Sequence, residues 1–495
     1  MERRQRPRSC RRREKDGRGE PYPSGCNSIP APKGKRFDDT PDPPPGLGAA
    51  VTDLERALAD PRRYRRQIER LFDRTLFSPV RRSLRQAGVP FESVFDRQRR
   101  FARLLARTVA AGDYEFAPGR VREIRVGGKV REVFAFRMTD RLVHGVAAEI
   151  IDEAAQPRLS ASLYSYRKGL SWWHAVRLLG AYMRAQRKAR PDPKDRGLFV
   201  IRRDIDSYTD SIPVGPGSPL WPMLHRLLEG KDGRLPEAAW TVIERVVRPE
   251  ARAKDGGLMC LTRGLPTGQP ISCVVFNFYL HELDRRLDAV PGAFYARFSD
   301  DILFAHPEPG PVQEAARIIE ETAAALDLKL KLEKSRDLYV TAPGRPAPPG
   351  CPARGRSSIP FLGVEVWTDG TVSLGREKAR AFVRDLEDRA SRTARALCGS
   401  APDAIGRGIC SVLNRALRPE TAPFRQRSAD TLWRIVTNRP QLLHLDGLVA
   451  RIVLRAATGR TGPRAFRTIP LRKIRSEWGL LSLYHGRNKR PRRPS

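Results

Sequence analysis

Carboxylates are scarce in this chain: 56 Asp and Glu face 92 Lys and Arg, a formal net charge of +36 over 495 residues. Such an excess attracts polyanions, and nucleic acid is the first candidate partner, although charge alone names no function. Cysteine is sparse too. The seven, at 10, 26, 260, 273, 351, 398 and 410, form no CxxC pair and lie far apart, so neither a zinc site nor a disulfide framework is expected and a reducing cytoplasm fits. No apolar run approaches the roughly 20 residues that span a bilayer, and the Arg-rich N-terminus is not followed by a signal-type apolar stretch. A soluble, cytoplasmic protein with no membrane partner is expected. The length allows two to four domains with a sizeable core and argues against a single small binding module.

Residues 1–48, rich in Arg, Pro and Gly, hold too few apolar side chains to form a core and read as a disordered basic arm. Over 49–112 apolar residues recur at helical spacing, as in "VTDLERALADPRRYRRQIERLF", which predicts two or three helices. "REIRVGGKVREV" alternates around Gly127-Gly128, the signature of a two-residue hairpin turn, with Arg125, Lys129 and Arg131 on one parity. "MTDRLVHGVAAEIIDEAA" predicts a helix capped by Thr139 or Asp140. "GLFVIRRDIDSYTDSI" reads as a buried strand ending in an aspartate-bearing turn, and "LTRGLPTGQPISCVVFNFYLHELDRRL" as a Gly/Pro turn feeding a long helix opened near Ser272. A helix over 311–326 follows, then "LKLKLEKSRDLYV" and "IPFLGVEVWTDGTVSL" as strands; from 376 the pattern is mostly helical and basic.

"YARFSDDILF" raises the sharpest question, because it sets Asp300 and Asp301 side by side in an aromatic and aliphatic run. Successive strand residues point to opposite faces, so one of the two should face inward, at a cost unless it is paired or metal-bound. Two readings stand: a polar turn and a metal site. The order strand, helix, strand-turn-strand, helix, strand is that of a split βαββαβ sheet, which can bring Asp204 and Asp300 together at neighbouring strand ends. Two carboxylates meeting in so basic a protein would bind Mg²⁺ ions that also hold substrate phosphates, the layout of two-metal phosphoryl transfer.

In this order the segments resemble the reverse transcriptases, particularly the bacterial branch with group II intron, retron and defence-associated members, over about residues 110–376. "YARFSDDILF" is similar to that family's catalytic hairpin, "FVIRRDIDSYTDSI" to its first aspartate motif and "RGLPTGQPISCVVFNFYLHELD" to its glycine-proline turn and template-side helix. "REIRVGGKVREVFAFRMTDRLVHGVAAEIIDE" and "SLYSYRKGLSWWHAV" resemble its fingers motifs, "LKLEKSR" and "FLGVEV" its late palm and primer grip. The resemblance implies an α+β right-hand polymerase: a helical N-terminal extension over 49–112, fingers and split βαββαβ palm over 113–375, and a helical thumb and C-terminal region over 376–495. It also implies an RNA template, a DNA or RNA primer, dNTPs and two Mg²⁺ ions.

Residue by residue, the resemblance makes Asp204 and Asp300 the ion ligands, with Asp301 the supporting carboxylate. Asp206 has no fixed role and reads as solvated. Arg125 and Arg131 match the basic residues that grip the triphosphate, whereas Lys129 reads as a solvated strand charge. Gly264 and Gly268 permit a close backbone turn beside the nucleotide, followed by Gln269 and Ser272. Arg167 would hold template backbone, Lys334 would assist pyrophosphate departure, and Trp172 and Trp173 read as core. Thr209 stands where a bulky aromatic usually guards the sugar, Thr267 where many members carry Gln, and Ser299 where Ala or Met is common, which leaves sugar choice and fidelity open. Residues 376–495 supply no zinc-ligand spacing, so the Cys- and His-rich nuclease domain that some intron-borne members append is not expected there. Two rival readings remain: a defence-type polymerase working without an external template or on a dedicated noncoding RNA, towards which Thr267 leans, and a maturase-like RNA-binding protein.

Overall fold

The computed structural model describes residues 54–75, 85–86, 89–126, 129–190, 197–230, 233, 235–253, 255–342, 347–348, 351, 353–417, 432–462 and 464–488. The basic arm expected over 1–48, the Gly127-Gly128 turn and the Lys129 side chain lie outside them.

Helices α1 (Leu54–Ala59) and α2 (Pro61–Thr75), a short hairpin of β1 (Arg85–Gln86) and β2 (Val89–Pro90), and helices α3 (Phe91–Asp96) and α4 (Gln98–Ala110) open the chain. Asp60 starts α2 by accepting the Arg62 amide at 2.9 Å, ahead of a proline at the first helical position. Tyr64, Ile68 and Leu71 of α2 and Ala102, Leu105, Ala106 and Val109 of α4 form its buried stripe. Strands β3 (Gly119–Val126) and β4 (Lys129–Ala135) pair antiparallel with Val126 opposite Lys129, the register of a two-residue connection. Helix α5 (Met138–Ala155) is buried on almost every side. It starts at Met138 without a side-chain cap, so neither Thr139 nor Asp140 serves as one. Asp140 is drawn inward instead, accepting from Tyr114 at 2.7 Å and Arg137 at 3.0 Å.

Next come α6 (Trp172–Ala189), β5 (Leu198–Asp204), α7 (Tyr208–Ser211), α8 (Leu220–Leu228), α9 (Glu237–Val247), β6 (Glu250–Arg252) and β7 (Leu258–Cys260). Helix α10 (Pro270–Tyr279) opens two residues before Ser272 and breaks at Leu280, where α11 (His281–Asp288) begins. The hairpin of β8 (Phe294–Phe298) and β9 (Asp301–His306), helix α12 (Pro309–Ala325), β10 (Arg336–Val340) and β11 (Arg354–Arg356) complete a five-stranded sheet of order β11-β10-β5-β9-β8. Its β10-β5-β9-β8 part is the split βαββαβ arrangement, an α+β fold. Both faces of the sheet are covered, which explains the near-continuous apolar runs of β5 and β9. Ile201, Ile302 and Phe304 meet α10 and α12 on one side, while Leu198, Val200, Leu303 and Ala305 meet α6 on the other. The alternating stretch before β10 departs from expectation. Leu330 bridges to Ile205 just past the end of β5, and the chain then turns over 331–335, leaving only Arg336–Val340 as strand.

Strands β12 (Ser358–Phe361), β13 (Val364–Trp367) and β14 (Val372–Leu374) form a meander that packs against α6. Helices α13 (Arg376–Ala396), α14 (Pro402–Leu417) and α15 (Arg439–Thr458), with the shorter α16 (Ala465–Thr468), α17 (Leu471–Ser476) and α18 (Leu483–Asn488), enclose a separate core around Leu386, Ile409 and Val453. The Gln441 carboxamide joins this unit to β14, accepting from Leu374 N at 2.7 Å and donating to Leu374 O at 2.8 Å. Thr437 does the same for Val372, its hydroxyl accepting at 2.8 Å and its amide donating at 2.9 Å. Cys260, Cys351, Cys398 and Cys410 are free thiols. No helix among the described residues is long and apolar enough to cross a membrane.

Candidate active site

Strand β5 ends at Asp204 directly opposite Asp301, the first residue of β9, and Phe298 faces Asp301 across the hairpin. Ser299 and Asp300 are therefore the two turn residues. Ser299 carries φ +59°, a left-handed conformation suited to a primed hairpin turn but costly for a side chain other than glycine. The two adjacent aspartates thus differ in kind: Asp301 belongs to the ladder, Asp300 to the turn. Arg202 holds Asp301 through Nη2 at 2.6 Å, and Lys334 places its ammonium 2.9 and 2.8 Å from the two Asp204 oxygens. Burial, and next the charge of Asp204, push the Asp300 carboxyl up to about 6. Burial works against the Lys334 charge, but its contact with Asp204 outweighs that and raises its pKa.

The turn is braced from beneath by charges that the sequence reading overlooked. Arg297, fully buried, meets the equally buried Asp284 through two bonds of 2.7 and 2.6 Å and donates to Ser299 O at 3.1 Å. Tyr295 adds a hydroxyl to Asp284 at 2.6 Å, and Ser165 Oγ accepts the Ser299 amide at 3.0 Å while Asn277 takes the Ser165 proton at 2.9 Å. Every member of the network is partnered, the condition under which buried ions are tolerated. An arginine inside an apolar strand, three residues before the aspartate pair, was the available signal.

The Gly/Pro turn joins this site to the β3–β4 hairpin. Gly264 has φ +84°, and a Cβ there would lie 3.1 Å from the Asp210 backbone, so only glycine lets the turn approach α7. Leu265 N binds Thr209 O at 3.1 Å, which seats half-buried Thr209 beside the turn. Tyr208 points the other way: it is buried and its hydroxyl binds Phe276 O at 2.7 Å. Thr267 O accepts the Phe134 amide at 3.1 Å, buried Gln269 donates to Phe134 O at 3.0 Å, and Ser272 Oγ closes the turn on Pro266 O at 2.8 Å. Gly268, φ +95°, lies against Val133.

Register separates Arg125 from Arg131. Arg131 pairs with Ile124 and Arg125 with Val130, so the two side chains leave opposite faces of the hairpin. Arg131 shares its face with Val133, the residue against Gly268; Arg125 does not. Arg167 donates to Ser160 O at 2.5 Å and is half-buried, committing its guanidinium to the local backbone. Trp172 and Trp173 sit partly buried against the core, under Lys378 and Arg177 respectively. Asp206 lies 3.4 Å from Lys331.

Among the described residues, no group of three or more His, Cys, Asp or Glu is gathered closely enough to hold a metal ion by itself. The Asp204–Asp300 pair nevertheless suits a hard divalent cation. Burial first, and then the neighbouring Asp204 charge, raises Asp300, both of which a bound cation would offset, and Mg²⁺ commonly takes one or two carboxylates and completes its shell with water and substrate phosphates.

Residues 234–366 match the family described as reverse transcriptase (RNA-dependent DNA polymerase). The chain thus carries a reverse transcriptase domain, and the matched stretch includes the Gly/Pro turn, Asp300, Asp301 and Lys334. Among solved structures, apo telomerase from Candida tropicalis, truncated of its C-terminal domain, is similar at 12% identity and a TM-score of 0.39, covering 52% of this chain and 55% of its own. Telomerase from Candida albicans with a fragment of telomeric RNA aligns at 11% identity and a TM-score of 0.41, covering 76% of this chain and 64% of its own. The chain therefore spans less than two thirds of the length of these neighbours. No curated protein matches it significantly.

Proposed function

We propose that the chain extends a primer 3′-hydroxyl on an RNA template by nucleotidyl transfer from a dNTP, releasing pyrophosphate. The observation that carries this reading is the meeting of Asp204 and Asp301 in register at two strand ends, with Asp300 in the turn that leads from β8 into β9 beside them. Asp204 and Asp300 would hold two Mg²⁺ ions, whose charge would activate the primer hydroxyl and offset that of the triphosphate. Asp301, held by Arg202, orients the turn. Arg131, on the face turned to Gly268, offers a guanidinium fork to phosphate oxygens. Lys334, whose ammonium meets Asp204, would supply positive charge for the departing pyrophosphate. Thr209 leaves the sugar pocket without an aromatic wall.

The direct test is primer extension in magnesium with Asp204→Asn and Asp300→Asn. Each should abolish extension, since a lost ligand removes several kcal/mol of charge stabilisation, while RNA affinity stays within about twofold because phosphate contacts are untouched. Undiminished extension by either variant would overturn the assignment.

A further inference from the structure

Phe298 faces Asp301, so Ser299 and Asp300 alone connect β8 to β9, and of the two only Ser299 has a positive φ. Glycine is the usual occupant of that conformation in a two-residue hairpin. A side chain there is strained, and persists only where its surroundings over-determine it. At Ser299 both backbone polar groups are held. The amide donates to Ser165 Oγ at 3.0 Å, and the carbonyl accepts from Arg297 Nη1 at 3.1 Å. Neither partner is free to drift. Ser165, wholly buried, donates its one hydroxyl proton to Asn277 Oδ1 at 2.9 Å, and Asn277 Nδ2 donates back to Ser165 O at 2.7 Å. Arg297 is fixed from the same helix, donating to Asn277 O at 2.9 Å. The segment that carries Ser165 is itself laid along β8, since Arg297 N donates to Ser162 O at 2.9 Å and Tyr164 N to Arg297 O at 3.0 Å.

We infer that Ser165 and Asn277 are positioning residues for nucleotidyl transfer: with Arg297 they hold Ser299 in its left-handed conformation and so keep the Asp300 carboxyl beside Asp204. This rests on the polymerase reading proposed above. The two turn aspartates depend on Ser299 unequally. Asp301 is fixed opposite Asp204 by the β5–β9 ladder, whatever the turn does. Asp300 belongs to no ladder, and only the Ser299 backbone sets its direction. Relaxation of Ser299 to a negative φ would therefore leave Asp301 in place and swing Asp300 away. Asn277 lies on α10, which begins directly after the Gly/Pro turn, so one helix both follows that turn and aims Asp300 through Ser165.

The test gives the turn a residue that needs no brace. In the full chain, Ser165→Ala should lower kcat for primer extension by about tenfold or more while the dNTP KM stays within about threefold, the pattern of a misplaced reacting group rather than lost binding. Ser299→Gly alone should extend like the parent, because glycine adopts the same conformation freely. Added to Ser165→Ala, it should restore kcat to within about threefold of Ser299→Gly, a coupling expected only of residues that act on one another. Asn277→Ala, which leaves the Ser165 hydroxyl unaimed, should show a smaller loss with the same rescue, and it carries the test if denaturant melts show Ser165→Ala unfolded. Amide exchange across residues 296–303 reads the brace without any chemistry: Ser165→Ala should speed it by about tenfold or more. Unchanged exchange and kcat in Ser165→Ala would overturn the inference, as would a loss of kcat that Ser299→Gly fails to repair. A parent that extends no primer would instead overturn the polymerase reading, and the exchange measurement would still decide whether Ser165 holds the turn.

Discussion

Thr209 and Tyr208 illustrate how one residue step decides chemistry. Tyr208 shares the parity of Asp204 along the sequence, yet Ser207 adopts φ +46° and begins α7, so strand alternation stops and Tyr208 turns into the core. Thr209 is left beside the Gly264 turn. On the proposed reading its small side chain would leave room for a ribose 2′-hydroxyl, and Thr209→Phe should shift the deoxy-to-ribo kcat/KM ratio towards deoxynucleotides by roughly ten- to a hundredfold, the scale of pocket-shape discrimination. Single-nucleotide incorporation kinetics with both sugars checks this, and an unmoved ratio removes Thr209 from the sugar pocket. His144 supplies a second prediction. Its ring is fully buried against Phe136, and burial pushes its pKa down to about 3 despite a contact with Gln269 that raises it. The unfolded chain takes up this proton near the ordinary value of about 6.5, so stability should fall as pH drops from about 6.5 towards 3, by about 2 kcal/mol at pH 5 from this group alone. His144→Gln should unfold with a shallower pH dependence over that window in denaturant melts; identical slopes would show that the ring is protonated in the native state.

At the scale of the element, the β3–β4 hairpin shows what parity can and cannot say. Arg125 and Arg131 are both odd-numbered, which places them together on a continuous strand, but a two-residue turn inverts the relation and sends them to opposite faces. Arg131→Ala should therefore lower dNTP kcat/KM by roughly ten- to a hundredfold, as for a charge-assisted contact of about 1.5–3 kcal/mol, and Arg125→Ala by far less. Steady-state kinetics on one primer–template separates them, and equal losses would contradict the register argument. The same contrast marks what the sequence disclosed. Strands β5, β8 and β9 and their helices were legible because burial on both faces writes long apolar runs, and the aspartates stood out against them. The stretch 328–335 alternates as well as any strand, yet pairing with the end of β5 stops at Leu330 and the chain turns, a long-range competition invisible to local period. The Arg297–Asp284 bridge was hidden for a related reason, since its members lie thirteen residues apart and meet only when α11 folds against β8.

For the whole molecule, a surplus of 36 positive charges is distributed rather than uniform in purpose. Some arginines neutralise buried carboxylates, as Arg297 does for Asp284, and others stand exposed along α4. The three-stranded meander carries a different consequence. Strand β14 has β13 on one side only, and a bare row of amides and carbonyls on its other side would be a template for a second chain. Gln441 and Thr437 occupy that row, bonding both polar groups of Leu374 and of Val372 as a neighbouring strand would. The helical C-terminal unit thus stands where a further strand would pair, closing the open border of the sheet it follows.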